Sequence, residues 1–249
     1  MDYLQLLVPR KSEDNKTSSA CFCIVSCTRD YHLVDNILEA LKLQTEAPEE
    51  IIIVSSGIKT EDVKTVEHIT ICNKNVPVIH INSEKLFFAG RARNLCAEHS
   101  SCEILIYIDG DDIPHPQKIE ITKAVFCEKN VPVVLGWEES AEIEMVVHSF
   151  TAKSNDFKEY STLHHSQLYR ISCLKDNTWL HAGNNPIGHG PIAIKRALVT
   201  SKPGGVMWNP DLERAQDTTF CRRVFTEGYN IVHVNLPLIY YSNGGYIFR

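Results

Sequence analysis

Glu103-Ile-Leu-Ile-Tyr-Ile-Asp-Gly-Asp-Asp-Ile-Pro-His-Pro116 is the stretch that decides the fold of this chain. Its apolar run, 104–108, predicts a buried strand, and Asp109-Gly-Asp-Asp112 ends that strand abruptly. Three carboxylates therefore follow the end of a strand. In an open α/β sheet ligands bind at that end, because the flanking helices diverge there and leave a crevice.

Carboxylates this close together repel each other unless a positive charge is bound among them. Ligands that offer only oxygen favour hard cations such as Mg²⁺ or Mn²⁺ over zinc, and a phosphate is the natural partner of such an ion. The same letters are also typical of a plain acidic turn, in which Asp and Gly supply turn chemistry. The acidic string alone leaves both interpretations open.

Hydrophobic runs with little polar alternation predict further strands that are buried on both faces. Amphipathic segments between them predict helices, the first of them capped by oxygens of Thr28 and Asp30. The alternation indicates a doubly wound layer of strands and helices. The predicted strands are Cys21–Cys27, Glu50–Ser55, Val76–Ile81 and Val131–Leu135, and the predicted helices pass through Leu33–Leu41, Val63–Ile69, Phe87–Ala97 and Pro116–Glu128.

In the second half of the chain, predicted strands and helices alternate less regularly. We predict one domain, 20–249, after an N-terminal extension, 1–19, with a nucleotide-binding half, 20–136, and an acceptor-binding half, 137–249. A polar stretch, 138–165, is interpreted as an insertion or mobile loop. The later predicted elements are a glycine-rich turn with a short strand at Asn185–Lys195, a helix at Gln216–Glu227 ended by Gly228, and a strand at Ile231–Val234.

Composition excludes several classes of protein. The 249 residues include 25 basic and 31 acidic side chains without a long basic run, which argues against nucleic-acid binding. Nine scattered cysteines, an odd number without a Cys-x-x-Cys pair, predict reduced thiols and a cytoplasmic location. No window approaches the roughly 20 apolar residues of a membrane span, and the first residues do not form a signal peptide.

Several motifs in order resemble the family-two glycosyltransferases with the GT-A fold. Ala92-Arg93-Asn94 is followed by Tyr107-Ile-Asp-Gly-Asp-Asp112 and Pro116, and later by Asp217-Thr-Thr-Phe-Cys-Arg-Arg-Val-Phe-Thr-Glu-Gly-Tyr-Asn-Ile-Val-His-Val234. The similarity covers about residues 20 to 240. It implies a single GT-A (Rossmann-like) α/β domain with a mostly parallel central sheet flanked by helices.

The resemblance also implies an activity. By this resemblance the chain would be a metal-dependent, inverting glycosyltransferase that moves a sugar from a nucleoside-diphosphate sugar to a hydroxyl acceptor on a glycan, lipid or protein. UDP is the default nucleotide of the donor. Asp109 and Asp111 resemble the Asp-x-Asp pair that holds Mn²⁺ or Mg²⁺. Asp111 is the preferred direct ligand, Asp109 faces the ribose or the waters of the ion, and Asp112 is a secondary residue that orients water or caps the next turn.

By the same resemblance, further residues bind the donor or carry the reaction. The donor-binding residues are Ser26, Thr28, Arg29, Ser56, Arg93, Asp109 and Gly110. Asp217 resembles the catalytic base that takes the proton of the acceptor hydroxyl, although an Asp that begins a helix is equally suited to cap it. Sugar and acceptor contacts are expected from Gly188, His189, Gly190 and Trp208.

The chain departs from the family pattern at three places. Ser56 stands where an acidic pair usually helps to read the nucleoside, Gln216 replaces the first acid of the pair at the base, and Tyr241 stands where many relatives have a metal-binding histidine. Water, phosphate, Ser242 or Asn243 are possible replacements for that histidine. The departures keep open a catalytically inactive GT-A-like nucleotide-binding or scaffold domain. A sugar-phosphate nucleotidyltransferase is less favoured, because 26–30 lacks the glycines of its phosphate loop.

Overall fold

A computed structural model describes residues 4–6, 18–63, 66–127, 142–151, 169–173 and 187–241. The strands are β1 (Leu4–Leu6), β2 (Ala20–Cys27), β3 (Glu50–Ser56), β4 (His68–Ile71), β5 (Lys74–Ser83), β6 (Ile104–Asp109), β7 (Ile113–Pro114), β8 (Met145–Thr151), β9 (Tyr169–Cys173), β10 (Ile187–Lys195) and β11 (Ile231–Tyr240). The helices are α1 (Val34–Lys42), α2 (Ala89–His99), α3 (Lys118–Cys127) and α4 (Gln216–Thr226). Single 3₁₀ turns lie at Tyr31–Leu33, Thr60–Asp62 and Arg196–Leu198.

The centre of the sheet is parallel, as predicted. The strands β6, β2, β3 and β5 lie side by side and run in the same direction. Every residue of β3 is buried, which explains why that strand has no polar alternation. The parallel strands place the ends of β2, β3 and β6 at one edge of the sheet.

Antiparallel pairings extend this core into a large mixed sheet. β10 pairs antiparallel with both β6 and β8, while β11 runs parallel to β8. β9 and then β1 continue the sheet beyond β11. The α/β fold class is thereby confirmed. The neighbouring parallel strands β6, β2, β3 and β5 form one side of this mixed sheet rather than most of its width.

The strand β8 corrects the interpretation of 138–165 as a polar loop. Met145, Val146 and Val147 are fully buried, and β8 lies between β10 and β11 in the sheet. The short apolar run was hidden by its charged and polar flanks, because tertiary pairing rather than local pattern defines this strand. The predicted strand at Val131–Leu135 lies outside the described residues.

The predicted helix through Val63–Ile69 is wrong. Its last part forms β4, which pairs antiparallel with β5 in a hairpin. Ile69 and Ile71 are buried while His68 and Thr70 are exposed, so the period is that of a strand. The two turn residues, Cys72 and Asn73, have φ of 49° and 62°, as a tight hairpin turn requires.

Successive side chains of each central strand enter cores on opposite faces of the sheet. In β2, Phe22 and Ile24 pack with the apolar face of α1, while Cys21 and Cys23 pack with α2 and α4. The eight cysteines whose side chains the structure describes form no disulfide bond. Five of them are buried in the core on the α2 and α4 side of the sheet, namely Cys21, Cys23, Cys96, Cys102 and Cys221.

Candidate active site at the sheet edge

The register of the parallel strands brings three predicted site segments together. Val25 is level with Asp109, and Cys27 is level with Ser56, so the ends of β2, β3 and β6 form one edge. Because β10 runs antiparallel to β6, its first residues, Gly188–Gly190, lie at the same edge. The fold therefore supplies a common location for the donor and acceptor residues that the sequence predicted.

The acidic turn is tightly built. Asp112 N donates to Asp109 O at 3.1 Å and closes the turn. A Cβ added to Gly110 would lie 2.8 Å from Ser26 Cβ and 2.9 Å from Asp30 Oδ1, so only glycine fits without a shift. The turn after β6 thus packs directly on the turn after β2.

Asp112 faces the protein interior. It is fully buried, and the nearby ammonium of Lys118 is fully buried as well. Burial lowers the pKa of Lys118 to about 7, although the charge of Asp112 opposes that shift. Lys118, a residue that the sequence did not single out, therefore lies behind the turn with a partly compensated charge.

Asp30 does not cap the first helix, which corrects the predicted role. Its Oδ1 accepts a hydrogen bond from Cys27 N at 2.7 Å and so stabilises the turn after β2. Thr28 does not cap the helix either, because its hydroxyl donates to Gly57 O at 2.8 Å. The sequence predicted no site role for Asp30, although an acid three residues after a strand end is a usable signal.

The electrostatics of the edge single out Asp111. Its pKa is raised to about 6, first by burial and then by the neighbouring charges of Asp109 and Asp30. Burial also raises the pKa of Asp30, and Asp109 adds to that shift. Arg29 opposes both shifts, but its side chain is 67% exposed and lies 3.7 Å from Asp30. An added cation would be most favourable beside Asp111.

Arg93 lies beneath the acidic turn. Its Nη2 donates to Asp109 Oδ1 at 2.5 Å, and its side chain is 4% exposed. Tyr107 holds the backbone at this point, because its hydroxyl donates to Arg93 O at 3.0 Å. The sequence predicted that Arg93 binds the donor, and in the structure its guanidinium binds and orients the Asp109 carboxylate.

The serines at the strand ends are used within the protein. The hydroxyls of Ser26 and Ser55 lie 3.0 Å apart in a buried hydrogen bond. Ser56 is buried, and its hydroxyl donates to Phe87 O at 3.1 Å. Thr28 and Arg29 are the exposed members of the predicted donor set at this edge.

Trp208 is a core residue, which corrects its predicted role in stacking on a sugar. It is fully buried, and Phe220 stacks on its ring with the centroids 3.9 Å apart. Asn94 fixes its backbone twice, donating to Trp208 O at 2.9 Å and accepting from Trp208 N at 3.0 Å. Its ring is therefore not available to a ligand.

Asp217 is the second residue of α4 and is half-buried. The helix begins after Ala215, which has a φ of 53°, so Asp217 lies in the first turn and does not occupy the cap position. Burial raises the pKa of the Cys221 thiol, Asp217 raises it further and Arg93 lowers it. Cys221 follows Asp217 by one turn of α4, so the carboxylate and this thiol lie on the same side of the helix.

The two other departures from the family pattern have defined positions. Gln216 is buried, and its Oε1 lies 3.1 Å from where a Cβ of Gly90 would stand, so this side chain faces α2. Tyr240 pairs with Ile113 beside the acidic turn, and the Tyr241 ring packs on Phe150 with a centroid distance of 5.4 Å. Ser242 and Asn243 lie outside the described residues.

The described residues contain neither a preformed metal cluster nor a membrane-spanning helix. Within these ranges no three His, Cys, Asp or Glu side chains are grouped so that they alone could hold a metal ion. No helix in the described part of the chain has both the length and the apolar character needed to span a bilayer. An ion at Asp109 and Asp111 would thus need ligands from outside this set.

Fold and site together define a class: an α/β domain with a carboxylate turn at the edge where parallel strands end. The profile of Glycosyl transferase family 2 matches residues 21–177, and the chain belongs to that family. A search of curated protein sequences gave no significant match.

Solved structures share the fold. S. aureus TarS 1–349 in complex with UDP-GlcNAc is 13% identical with a TM-score of 0.60, and the match covers 90% of this chain and 58% of that one. Another structure of S. aureus TarS 1–349 gives 15% identity, a TM-score of 0.56 and coverages of 89% and 60%. The mannosyltransferase PcManGT from Pyrobaculum calidifontis, in complex with GDP-Man and Mn²⁺, is 18% identical with a TM-score of 0.51. That match covers 89% of this chain and 56% of PcManGT. The chain thus spans less than two thirds of these proteins.

Proposed function

We propose that the chain is a metal-dependent, inverting glycosyltransferase that moves a sugar from a nucleoside-diphosphate sugar to a hydroxyl acceptor. The observation that carries this proposal is Asp111, a half-buried carboxylate beside Asp109 and Asp30 whose pKa is raised to about 6. Such a site gains most from a bound cation. Family membership supports a transferase, and the structural relatives with UDP-GlcNAc or with GDP-Man and Mn²⁺ support a nucleotide-sugar donor.

The residues at the edge fit Mg²⁺ or Mn²⁺. Asp111 would be the direct ligand and Asp109 a direct or water-mediated one, and oxygens of the diphosphate and water would complete the shell. The ion, when bound, would neutralise charge on the departing nucleoside diphosphate. Arg93 holds the Asp109 carboxylate in a fixed orientation for this purpose. Thr28 and Arg29 are exposed at the same edge and are proposed to contact the donor.

Asp217 is the proposed base. The acceptor oxygen attacks the anomeric carbon from the face opposite the diphosphate, and its proton goes to the Asp217 carboxylate. The bond from that carbon to the diphosphate oxygen breaks, so the nucleoside diphosphate leaves with the bonding electrons and the anomeric configuration inverts. Gly188–Gly190, at the start of β10, are proposed to let a sugar ring approach the backbone closely.

A nucleotide panel tests the donor. We expect UDP with MnCl₂ to raise the melting temperature, and GDP and dTDP to raise it less, because UDP is the default nucleotide of the resemblance. Asp111→Asn should remove the contribution of Mn²⁺. No shift with any nucleotide, with or without metal, would contradict the proposal, whereas binding without turnover on any donor would favour the inactive scaffold.

Asp217→Asn tests the base. The variant should lose at least about a hundredfold in turnover, since it cannot accept the proton, yet keep its affinity for UDP and Mn²⁺. Glu213→Gln, an exposed neighbour that precedes α4, is the matched control and should behave like the wild type. Transfer by Asp217→Asn at the wild-type rate would show that another group is the base.

A further inference from the structure

Trp208 is enclosed by two partners that belong to different elements. The Arg93 Cζ lies 4.4 Å from its ring centroid, and the Phe220 ring lies 3.9 Å away and within 2° of parallel. Two groups this close to one centroid do not fit on the same side, so they cover opposite faces of the indole. We call Arg93, Trp208 and Phe220 the aromatic column.

The column has one end at each functional part of the proposed site. At one end Arg93 binds Asp109 of the acidic turn at 2.5 Å. At the other end Phe220 lies three residues after Asp217 in α4, a spacing that places both residues on the same side of the helix. The column therefore spans from the donor carboxylate to the helix that carries the base.

Within the described part of the chain, few other contacts fix the guanidinium of Arg93. Its Nε has no hydrogen-bond partner among these residues, although the side chain is buried. The Trp208 face is thus a main restraint on the plane of the guanidinium, besides the ion pair with Asp109. Trp208 itself is held by its two backbone hydrogen bonds with the Asn94 side chain and by an edge-on contact with Tyr107, with ring centroids 5.8 Å apart.

We propose that Trp208 is a positioning residue for both parts of the site, the donor carboxylate and the base, holding Arg93 for Asp109 on one face and α4 with Asp217 on the other. The inference rests on the proposed function, since it assigns the column to a donor site and a base. Trp208 touches neither substrate. It acts through the two residues that cover its faces.

The test compares Trp208→Leu with Trp208→Phe. Leucine removes the aromatic face, and we expect about tenfold weaker binding of UDP with MnCl₂ by calorimetry, together with slower release of UDP from UDP-GlcNAc. Phenylalanine keeps a face for Arg93 and for Phe220, so it should restore most of both. Phe22→Leu, in the core on the opposite face of the sheet, is the control for a lost buried aromatic ring.

Phe220→Leu separates the two faces of the indole. It leaves the contact between Arg93 and Trp208 in place, so the affinity for UDP with MnCl₂ should stay within twofold of the wild type. Turnover should nevertheless fall several-fold, because α4 loses its support at the turn that carries Asp217. Equal losses of binding in Phe220→Leu and Trp208→Leu would overturn the assignment of one face to each function.

The remaining outcomes are equally decisive. If Trp208→Leu and Phe22→Leu lose stability and binding to the same degree, or if Trp208→Phe is as impaired as Trp208→Leu, Trp208 is only a core residue. Melting temperatures of all variants identify any that fail to fold. A wild type that binds no nucleotide would overturn the proposed function and this inference with it, whereas a wild type that binds UDP, with either pattern of variants above, would overturn this inference alone.

Discussion

The three carboxylates of the acidic turn have different charged neighbours. Asp109 has the buried Arg93 at 2.5 Å, and Asp112 has the nearby charge of Lys118. Asp111 has two carboxylates that raise its pKa and the largely exposed Arg29 that lowers it. The protein therefore leaves one member of the turn undercompensated, and that member is the one proposed to bind the ion directly.

Asp111→Asn should stabilise the metal-free protein at neutral pH. The native pKa of about 6, raised from 3.8, means that the folded chain binds this proton more tightly than the unfolded chain does. Ionisation therefore costs folding free energy as the pH rises from about 4 to 6, and above that range the cost is complete. Denaturation at pH 7.5 should show a gain of about 1 kcal/mol, the shift being discounted for solvent screening.

The gain should nearly vanish at about pH 3, below the unfolded pKa of 3.8, because Asp111 is then protonated in both the folded and the unfolded chain. Asp62→Asn, an exposed carboxylate on the 3₁₀ turn at Thr60–Asp62, controls for the change in net charge. A gain of the same size at both pH values would show that ionisation of Asp111 is not its source.

At the scale of elements, the hairpin of β4 and β5 depends on its turn. Asn73 has a φ of 62°, which a β-branched side chain adopts only with strain. Asn73→Val should therefore lower the free energy of unfolding by about 1–2 kcal/mol, measured by chemical denaturation. Thr70→Val introduces the same residue at an exposed position of β4 with extended backbone and should be nearly neutral. An equal loss of unfolding free energy in both variants would show that the valine side chain, and not the positive φ of the turn, causes the loss.

The elements show what a sequence can predict. The strands β2, β3 and β6 were predicted because burial on both faces leaves a continuous apolar run. The hairpin was missed because Val63, Val66 and Ile69 also fit a helical spacing, and the pairing with β5 decides between the two. β8 was missed because its neighbours in the sheet are distant along the chain.

The same limit applies to the site. The acidic turn and Asp217 are local motifs, so the sequence was enough to propose them. The partner of Arg93 is 16 residues away along the chain, and the Trp208 ring is covered by groups from α2 and α4. No local pattern encodes such contacts, which is why Trp208 was assigned to a sugar and Asp30 to a helix cap.

For the whole molecule, the sheet topology predicts a gradient of local stability. β6 is central and pairs with β2 and β10, whereas β4 pairs with β5 at the end of the described sheet. Amide hydrogen exchange should be slowest in β2 and β6, opening only with global unfolding, and faster in β4. Slower exchange in β4 than in β6 would show that the hairpin is not the first region to open.

The rate at which the buried cysteines react with a thiol reagent reports how fast the core of the protein opens. Burial raises the pKa of Cys21, Cys23 and Cys221, so these thiols stay protonated and inert while the chain is folded. A coloured disulfide reagent should modify the exposed Cys72 at once and the buried thiols only as fast as the core opens. Any compound that slows the second phase has bound to the folded protein, so candidate acceptors of unknown chemistry can be screened without a label.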